Sequence, residues 1–292
     1  MSDARNDGSA DAAEATSGLD PDEQRRAVRE RYARIAASDT ASDTAAESDS
    51  DSSDCGEGGC CDADPDATDG ADSTALGYTD DDVAAVADGA DLGLGCGNPN
   101  ALAALEPGET VLDLGSGAGF DCFLAAREVG ESGRVVGVDM TPEMVEKARA
   151  NARKNDATNV EFRLGEIEHL PVSDGAADVV VSNCVINLSP DKPRVFREAY
   201  RALRPGGRLA VSDVVLTASL PEGVRHDPDS VAACVAGAST VDDLDAMLAD
   251  AGFEDVDISP KEESAEFIGE WDDSLPLEEY IVSATIEARK PA

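Results

Sequence analysis

The 292-residue chain contains few lysines, histidines and aromatic residues, and it has no long apolar run. Only five of its 23 basic residues are lysines, and its 62 acidic residues give a formal net charge of −39. This balance argues against nucleic acid as a partner, because phosphate binding needs clustered lysine and arginine. It is typical of proteins adapted to concentrated salt, where screening weakens the repulsion between like charges.

The amino terminus and the hydropathy pattern favour a protein of the cytoplasm. No apolar run approaches the ~20 residues of a membrane-spanning helix, and the first residues lack the basic and apolar regions of a secretory signal. We therefore expect a cytoplasmic protein that does not bind membranes. In a reducing compartment, seven cysteines are more typical of metal binding or catalysis than of structural disulfides.

Composition divides the chain into four segments. Residues 1–36 are predicted to form a tail and an amphipathic helix over 19–36. Residues 37–74 are rich in Asp, Ser and Ala and lack Lys and Arg, which predicts a disordered acidic linker. We place a cofactor-binding domain at 75–215, and at 216–292 a small α+β capping region that completes the sheet.

Strand and helix patterns alternate after the linker. Five apolar runs are predicted to be buried strands: Thr110–Leu114, Arg134–Val138, Val160–Leu164, Asp178–Ser182 and Arg208–Ser212. Three segments between them have helical spacing: Asp121–Val129, Pro142–Asn155 and Lys192–Leu203. This alternation predicts an α/β fold with a doubly wound, Rossmann-like sheet that is mostly parallel. Two late strands, Glu254–Ser259 and Tyr280–Ala288, would complete it in antiparallel orientation.

A glycine-rich turn follows the first predicted strand and opens the first helix of the alternating region. Its glycines, Gly115, Gly117 and Gly119, allow a tight turn and a close approach of the backbone to a ligand. Asp139 ends the next strand, where a carboxylate can accept hydrogen bonds from a ribose diol. A dinucleotide motif would have glycine at the position of Phe120. The pattern therefore favours S-adenosylmethionine, which has no pyrophosphate, over NAD.

Over about residues 105–290 the chain resembles the class I S-adenosylmethionine methyltransferases. The resemblance implies that Glu166 and Ile167 contact the adenine end, that Met140 packs on the adenine, and that Asn183 lies beside the methionine portion. The predicted cofactor-binding set is Asp113, Gly115, Ser116, Gly117, Gly119, Asp139, Met140, Glu166, Ile167 and Asn183.

Three cysteines in separate segments flank this turn: Cys96, Cys184 and Cys234. Cys184 follows the fourth predicted strand, at the rim where open α/β sheets bind ligands. The separations of 88 (184 − 96) and 50 (234 − 184) residues do not fit a zinc ribbon with closely spaced pairs. Neither His169 nor His226 forms a base constellation, and both are interpreted as loop residues. Trivalent arsenic bound by thiolates needs no base, since its lone pair attacks without losing a proton.

The chain further resembles the arsenite S-adenosylmethionine methyltransferase family in the motifs GLGCGNP, LDLGSGAGFDCFLAA, VDMTPEMVEKAR, EFRLGEIEHLPV, SNCVINLSPDKP and CVAGA. The resemblance implies that Cys96, Cys184 and Cys234 bind arsenic(III), and that Cys60 and Cys61 act as acceptor or relay thiols. It implies arsenite or its thiol conjugates as substrate, and thioredoxin or a small dithiol as reductant. A monomer is expected.

Two alternatives stay open at this point. The first is a class I methyltransferase that acts on a carbon, nitrogen or oxygen acceptor of a small molecule, because many acceptor types share the cofactor half. The second is a non-catalytic metalloid buffer or sensor that binds arsenite through its seven thiols without product. Cys122 and Trp271 are interpreted as packing residues, Tyr78 as a residue that shapes the site, and Cys55 has no assigned role.

Overall fold

The structure is a computed structural model that describes residues 19–45, 72–271 and 275–292. Within these residues the chain forms ten α-helices: α1 (Pro21–Ala45), α2 (Asp80–Ala84), α3 (Pro99–Ala103), α4 (Phe120–Val129), α5 (Pro142–Lys154), α6 (Lys192–Ala202), α7 (Glu222–Arg225), α8 (Pro228–Ala232), α9 (Val241–Ala251) and α10 (Ala265–Ile268). The same residues form eight strands: β1 (Thr110–Leu114), β2 (Arg134–Asp139), β3 (Val160–Leu164), β4 (Ala177–Asn183), β5 (Leu203–Leu216), β6 (Ser239–Thr240), β7 (Glu254–Lys261) and β8 (Ile281–Arg289).

All eight of these strands join one sheet, in which the order is β3-β2-β1-β4-β5-β8-β7 and β6 pairs with the end of β5. Strands β1 to β5 pair in parallel, whereas β8 runs antiparallel to both β5 and β7. The fold is mixed α/β with helices on both faces of the sheet, and the predicted fold class is confirmed. The antiparallel orientation of the two late strands is confirmed as well.

Each face of the sheet carries its own apolar core because side chains alternate along a strand. Val111 packs with Phe123 of α4 and Val145 of α5 in one buried cluster. Its neighbour Leu112 packs with Phe196 of α6 in the other. A parallel sheet needs such cover on both faces, and its strands therefore read as continuous apolar runs. The carboxyl ends of β1, β2 and β4 are left to form a site.

The predicted linker 37–74 is shorter in the structure at both ends. Helix α1 continues through Ala45, beyond the predicted end at 36. At the other end Ser73 is buried, and its hydroxyl donates a hydrogen bond of 2.8 Å to Asp91. Residues 46–71, which include the three cysteines at 55, 60 and 61, lie outside the described residues.

Strand β5 is longer than the predicted run of residues 208–212. It begins at Leu203, which was predicted to end the preceding helix but pairs instead with Ala177 of β4. Gly206 also donates its N–H to Lys290 near the end of the chain. Pairing on both sides therefore extends the strand. No helix within the described ranges combines the length and the apolarity that a bilayer crossing requires.

Candidate functional site

A cavity of about 1090 Å³, its open mouth included, lies at the carboxyl edge of β1, β2 and β4. Parallel strands end at the same edge of a sheet, and ligands of open α/β sheets bind there. Cys184 also lines this cavity. The wall includes eight of the ten predicted cofactor residues: Asp113, Gly115, Ser116, Gly117, Asp139, Met140, Ile167 and Asn183.

The glycine-rich turn closes tightly against the strand ends. Gly115 has φ +69°, and a side chain there would collide with Val185, so only glycine fits. The Asp139 carboxylate holds the turn in place. Its Oδ2 accepts a hydrogen bond from the Gly117 N–H at 3.0 Å, and its Oδ1 accepts one from the Thr141 N–H at 2.8 Å. Burial raises the pKa of Asp139.

Two predicted residues, Gly119 and Glu166, are not part of the cavity wall. Gly119 has φ +99° before α4, and a Cβ there would lie 2.7 Å from Phe162, so its glycine serves packing. Glu166 faces helix α1, with a carboxylate oxygen 3.6 Å from the Arg29 guanidinium. The contact of Glu166 with the adenine end stays a prediction. Glu168, two residues on, lines the cavity instead.

Buried carboxylates give the cavity its electrostatic character. Burial raises the pKa of Asp113 to about 8, with a further contribution from the charge of Asp121, and burial raises the pKa of Asp121 to about 6. The thiol of Cys122 donates to Asp113 at 3.1 Å. A cationic ligand would favour the charged forms of these acids. The sulfonium of S-adenosylmethionine fits this requirement.

A second observation supports a polar ligand at the turn. The hydroxyl of Ser116 is buried on the cavity wall and has no hydrogen-bond partner among the residues that the structure describes. Unpaired buried polar atoms are rare in folded proteins and call for an explanation. The residues of the turn thus fit a cofactor with polar groups.

A hydrogen-bond network connects the cavity to the Cys96 loop. Tyr78 donates its hydroxyl to Asp121 at 2.7 Å, and Asn183 donates its amide to the Tyr78 oxygen at 3.0 Å. Asn183 also donates to the Gly97 carbonyl at 2.7 Å and accepts the Cys96 N–H at 3.0 Å. The Asn183 side chain therefore lines the cavity and also connects Tyr78 to the Cys96 loop. Sequence reasoning did not identify Asp121, although the acidic position two residues after the last glycine was a usable signal.

Cys96 and Cys184 are joined by a disulfide, with 5.8 Å between their Cα atoms. Cys184 has the left-handed φ of +54°, and its N–H donates to the Ser212 carbonyl at 2.8 Å. The loop at Cys96 comes close enough only because glycine precedes it: a Cβ on Gly95 would lie 2.5 Å from the Asn183 amide. The structure thus brings these two predicted residues together.

Cys234 belongs to the same buried apolar cluster as the disulfide. Its Sγ donates to the Cys184 carbonyl at 2.7 Å, and its φ of +66° is again left-handed. Burial raises the pKa of the Cys234 thiol well above its usual range, and the charge of Asp213 adds to this effect. The three cysteines were predicted to bring their sulfurs together. In the structure the sulfurs of Cys96 and Cys184 are bonded, and the Cys234 sulfur contacts the carbonyl of Cys184 instead.

Among the described residues, Cys96, Cys184 and Asp213 form a group of three in which the potential ligand atoms all lie within 4.8 Å of one another. Sequence reasoning did not identify Asp213, which sits in the apolar run of β5. Its Oδ1 accepts the Val214 N–H and the Asn187 amide, each at 2.8 Å. Burial raises the pKa of Asp213 to about 6. The only sign of Asp213 in the sequence was that it is an acidic residue within an apolar strand.

Helix α1 covers the mouth of the cavity, which the sequence did not predict. Arg25, Val28 and Tyr32 line the wall, and the Gln24 amide donates to the Leu188 carbonyl at 3.0 Å. Tyr32 also packs against the buried cluster that contains Cys234. The helix therefore contacts both the cofactor cavity and the thiol cluster.

Comparison with known proteins identifies similar chains. Residues 105–252 match the family model described as a methyltransferase domain. The chain is 64% identical to the arsenite methyltransferase of Halobacterium salinarum, over 94% of this chain and 68% of that protein. It is 42% identical to the human arsenite methyltransferase over 49% of this chain, and it spans 40% of that relative's length.

Solved structures agree with these relatives. An arsenic(III) S-adenosylmethionine methyltransferase from Chlamydomonas reinhardtii is 37% identical, with a TM-score of 0.54, over 75% of this chain and 73% of that one. The phosphoethanolamine N-methyltransferase 2 of Haemonchus contortus, solved with S-adenosyl-L-methionine, is 19% identical with a TM-score of 0.55, over 68% of this chain and 54% of that one. The second likeness concerns the fold alone.

Proposed function

This chain belongs to the arsenite methyltransferase family, and from that premise we propose that Cys96, Cys184 and Cys234 hold trivalent arsenic for methylation. The reaction is the transfer of methyl groups from S-adenosylmethionine to arsenite. When bound, this cofactor supplies a methyl group on a sulfonium cation. The observation that carries the proposal is that Cys184 both lines the cofactor cavity and belongs to the thiol cluster.

The residues of the cavity would bind and orient the cofactor. Asp139 stands at the end of β2, where it can accept hydrogen bonds from a ribose, and the Ser116 hydroxyl is available for a further one. The carboxylates of Asp113 and Asp121 complement a positive charge. Apolar neighbours of the thiols exclude water from the substrate.

Thiolates suit a soft acceptor such as arsenic(III). Three thiols displace the three oxygen or thiol groups of the incoming substrate, and each thiol proton leaves with the displaced group. Arsenic keeps its lone pair, so it can attack the methyl carbon without a base. We therefore assign no proton acceptor for the methyl transfer itself.

The electron balance of the reaction accounts for the disulfide. Forming the arsenic–carbon bond consumes the lone pair and raises the formal oxidation state of arsenic by two. When two arsenic-bound thiolates leave together as a disulfide, two arsenic–sulfur bonds break, one sulfur–sulfur bond forms and arsenic regains those two electrons. The thiol protons have already left with the displaced groups, and water or another thiol takes the vacated positions on arsenic. The Cys96–Cys184 bond is the product that such a step would leave. Thioredoxin or another small dithiol would then restore both thiols.

The remaining predictions belong to the same proposal. Residues 216–292 would form the capping part of the arsenic site, and Cys60 and Cys61, outside the described residues, would relay arsenic or electrons. We propose that the enzyme works as a monomer in the cytoplasm.

Methylated arsenic can be measured by mass spectrometry, with labelled cofactor, arsenite and a dithiol reductant. We expect Cys184→Ser to lower turnover by at least about 100-fold, because a lost reacting group removes most of the catalytic effect. Cys122→Ser is the matched control: Cys122 is equally buried but lies outside the thiol cluster, and we expect turnover within about twofold. Equal turnover of Cys184→Ser and wild type would contradict the proposal.

A further inference from the structure

A carboxylate stands where a third sulfur was predicted. The Sγ atoms of Cys96 and Cys184 and an oxygen of Asp213 all lie within 4.8 Å of one another. Cys234, by contrast, uses its thiol to donate to the Cys184 carbonyl. Among the His, Cys, Asp and Glu side chains that the structure describes, the third group within 4.8 Å of both sulfurs is therefore a carboxylate.

Asp213 is held firmly at this place. Its side chain is 2% exposed, and two donors, the Val214 N–H and the Asn187 amide, fix Oδ1 at 2.8 Å. Its Oδ2 accepts a longer bond of 3.3 Å from the Asn187 N–H. The carboxylate is thus oriented through one oxygen, while the other keeps lone pairs for a further partner.

A structural role alone explains only part of this geometry. Anchoring the turn at Asn187 accounts for the bonds to Oδ1, and the charge of buried Lys192 offsets that of the carboxylate, but neither accounts for its place next to two sulfurs. Once the sulfurs are thiolates, like charges in a buried site repel each other. An electrophilic atom bound between the sulfurs and the oxygen would turn that repulsion into attraction.

We propose that Asp213 is an oxygen donor to arsenic, alongside Cys96 and Cys184, in an entry site that forms before Cys234 binds. The inference rests on the proposed function and adds a ligand to the same site. A dithiol first reduces the disulfide. The two thiols and the carboxylic acid then each give a proton to one hydroxide of arsenite, and three waters leave as two arsenic–sulfur bonds and one arsenic–oxygen bond form.

The entry site makes Asp213 a specificity residue. Arsenite has three exchangeable positions and can use all three donors. An arsenical with one carbon substituent, such as phenylarsine oxide, has only two and is satisfied by the two sulfurs. Loss of the carboxylate should therefore weaken binding of the first compound and leave the second unchanged.

The test uses the full chain, reduced with a phosphine, which is not a dithiol competitor for arsenic. Equilibrium dialysis measures arsenite and phenylarsine oxide binding to Cys234→Ser and to Cys234→Ser/Asp213→Asn. We expect the second variant to bind arsenite at least about tenfold more weakly and phenylarsine oxide within about twofold. The matched control is Cys234→Ser/Asp178→Asn, since Asp178 also accepts a strand N–H, from Thr110 at 2.7 Å, but at the opposite edge of the sheet.

Two outcomes would overturn the proposal: an arsenite Kd that changes less than about twofold, or equal weakening of both arsenicals. Wild-type protein that binds no arsenite would instead contradict the proposed function. If Asp213→Asn does not fold, Cys234→Ser/Asp213→Cys gives an independent test. A sulfur at that position should tighten arsenite binding relative to Cys234→Ser, and no gain would contradict a donor role there.

Discussion

At the scale of single residues, the cavity is defined by buried acids. Asp113 and Asp121 line the cavity, Asp213 is buried beside the disulfide, and burial raises the pKa of each. A raised pKa means that the folded state prefers the protonated acid, so ionisation costs stability. The cofactor-free chain therefore holds acids whose charged forms are disfavoured until a cation binds.

This predicts that the cofactor-free chain loses stability between pH 5 and pH 8. An acid whose pKa is raised by folding contributes its full stabilisation of the folded state below its unfolded pKa, near 4. That stabilisation is lost as the pH rises through the folded pKa, which is about 6 for Asp121 and about 8 for Asp113. We expect a fall of about 1–3 kcal/mol in the free energy of unfolding. Urea denaturation at constant high salt measures it.

Asp113→Asn is the comparison for this prediction. An asparagine cannot ionise, so the variant should lose less stability over the same pH range than wild type. S-adenosylmethionine should reduce the fall in wild type, because its positive charge favours ionised acids. A stability that rises from pH 5 to pH 8 in the cofactor-free chain would show that these acids are not the dominant groups.

At the scale of elements, helix α1 connects the two halves of the site. Val28 is 1% exposed and lies on the cavity wall, and Tyr32 packs against the cluster that contains Cys234. The Arg25 guanidinium lies 3.8 Å from the buried Glu168 carboxylate. The helix is thus held by few apolar residues and several polar contacts, and its docking completes the wall.

Val28→Asp should undock this helix, because an unpaired carboxylate at a buried position is strongly unfavourable. We expect the affinity for S-adenosylmethionine to fall at least about tenfold, and amide hydrogen exchange in α1 to increase. Calorimetry and hydrogen exchange by mass spectrometry measure the two effects. Arg26→Asp places the same residue on the exposed side of the helix and should change the affinity by less than about threefold. If Val28→Asp binds S-adenosylmethionine as tightly as wild type does, then α1 is not part of the cofactor site.

The elements of the sheet were predictable, whereas the contacts of distant segments were not. Buried parallel strands produce apolar runs, so β1 to β4 were predicted within about one residue of each end. Docking of α1 depends on where Val28 and Tyr32 meet the cavity, and no local pattern encodes that. The position of Glu166 beside α1 was not predicted for the same reason, since the arginines of α1 are 137 to 141 residues away (166 − 29, 166 − 25).

The site shows the same division. Motif spacing and the family resemblance together named eight residues that line one cavity wall, because the turn and the strand ends form one local unit. Cys96, Cys184 and Cys234 could be named from a family resemblance. Asp213 could not, because one acidic residue in an apolar strand does not reveal which side chains converge on it.

At the scale of the whole molecule, the net charge of −39 governs behaviour in solution. Repulsion between acidic side chains opposes the compact state, and salt screens it with a Debye length of about 10 Å at 0.1 M and about 3 Å at 1 M. The relative from Halobacterium salinarum agrees with a halophilic chain.

We expect both turnover and the unfolding temperature to rise as KCl increases from 0.1 M to above 1 M. Screening favours the folded state and also relieves the electrostatic cost of forming thiolates in an acidic protein. Parallel assays of methylated arsenic and thermal unfolding across a KCl series measure the two trends. An activity optimum in dilute buffer would contradict this interpretation of the charge.

We propose that the protein's own thiols hold arsenic beside the cofactor cavity. Arsenic K-edge X-ray absorption on the reduced chain with one equivalent of arsenite tests it most directly. We predict three sulfur neighbours in wild type, and two sulfurs with one oxygen in Cys234→Ser. An oxygen-only shell in wild type, or three sulfurs retained in Cys184→Ser, would contradict the account.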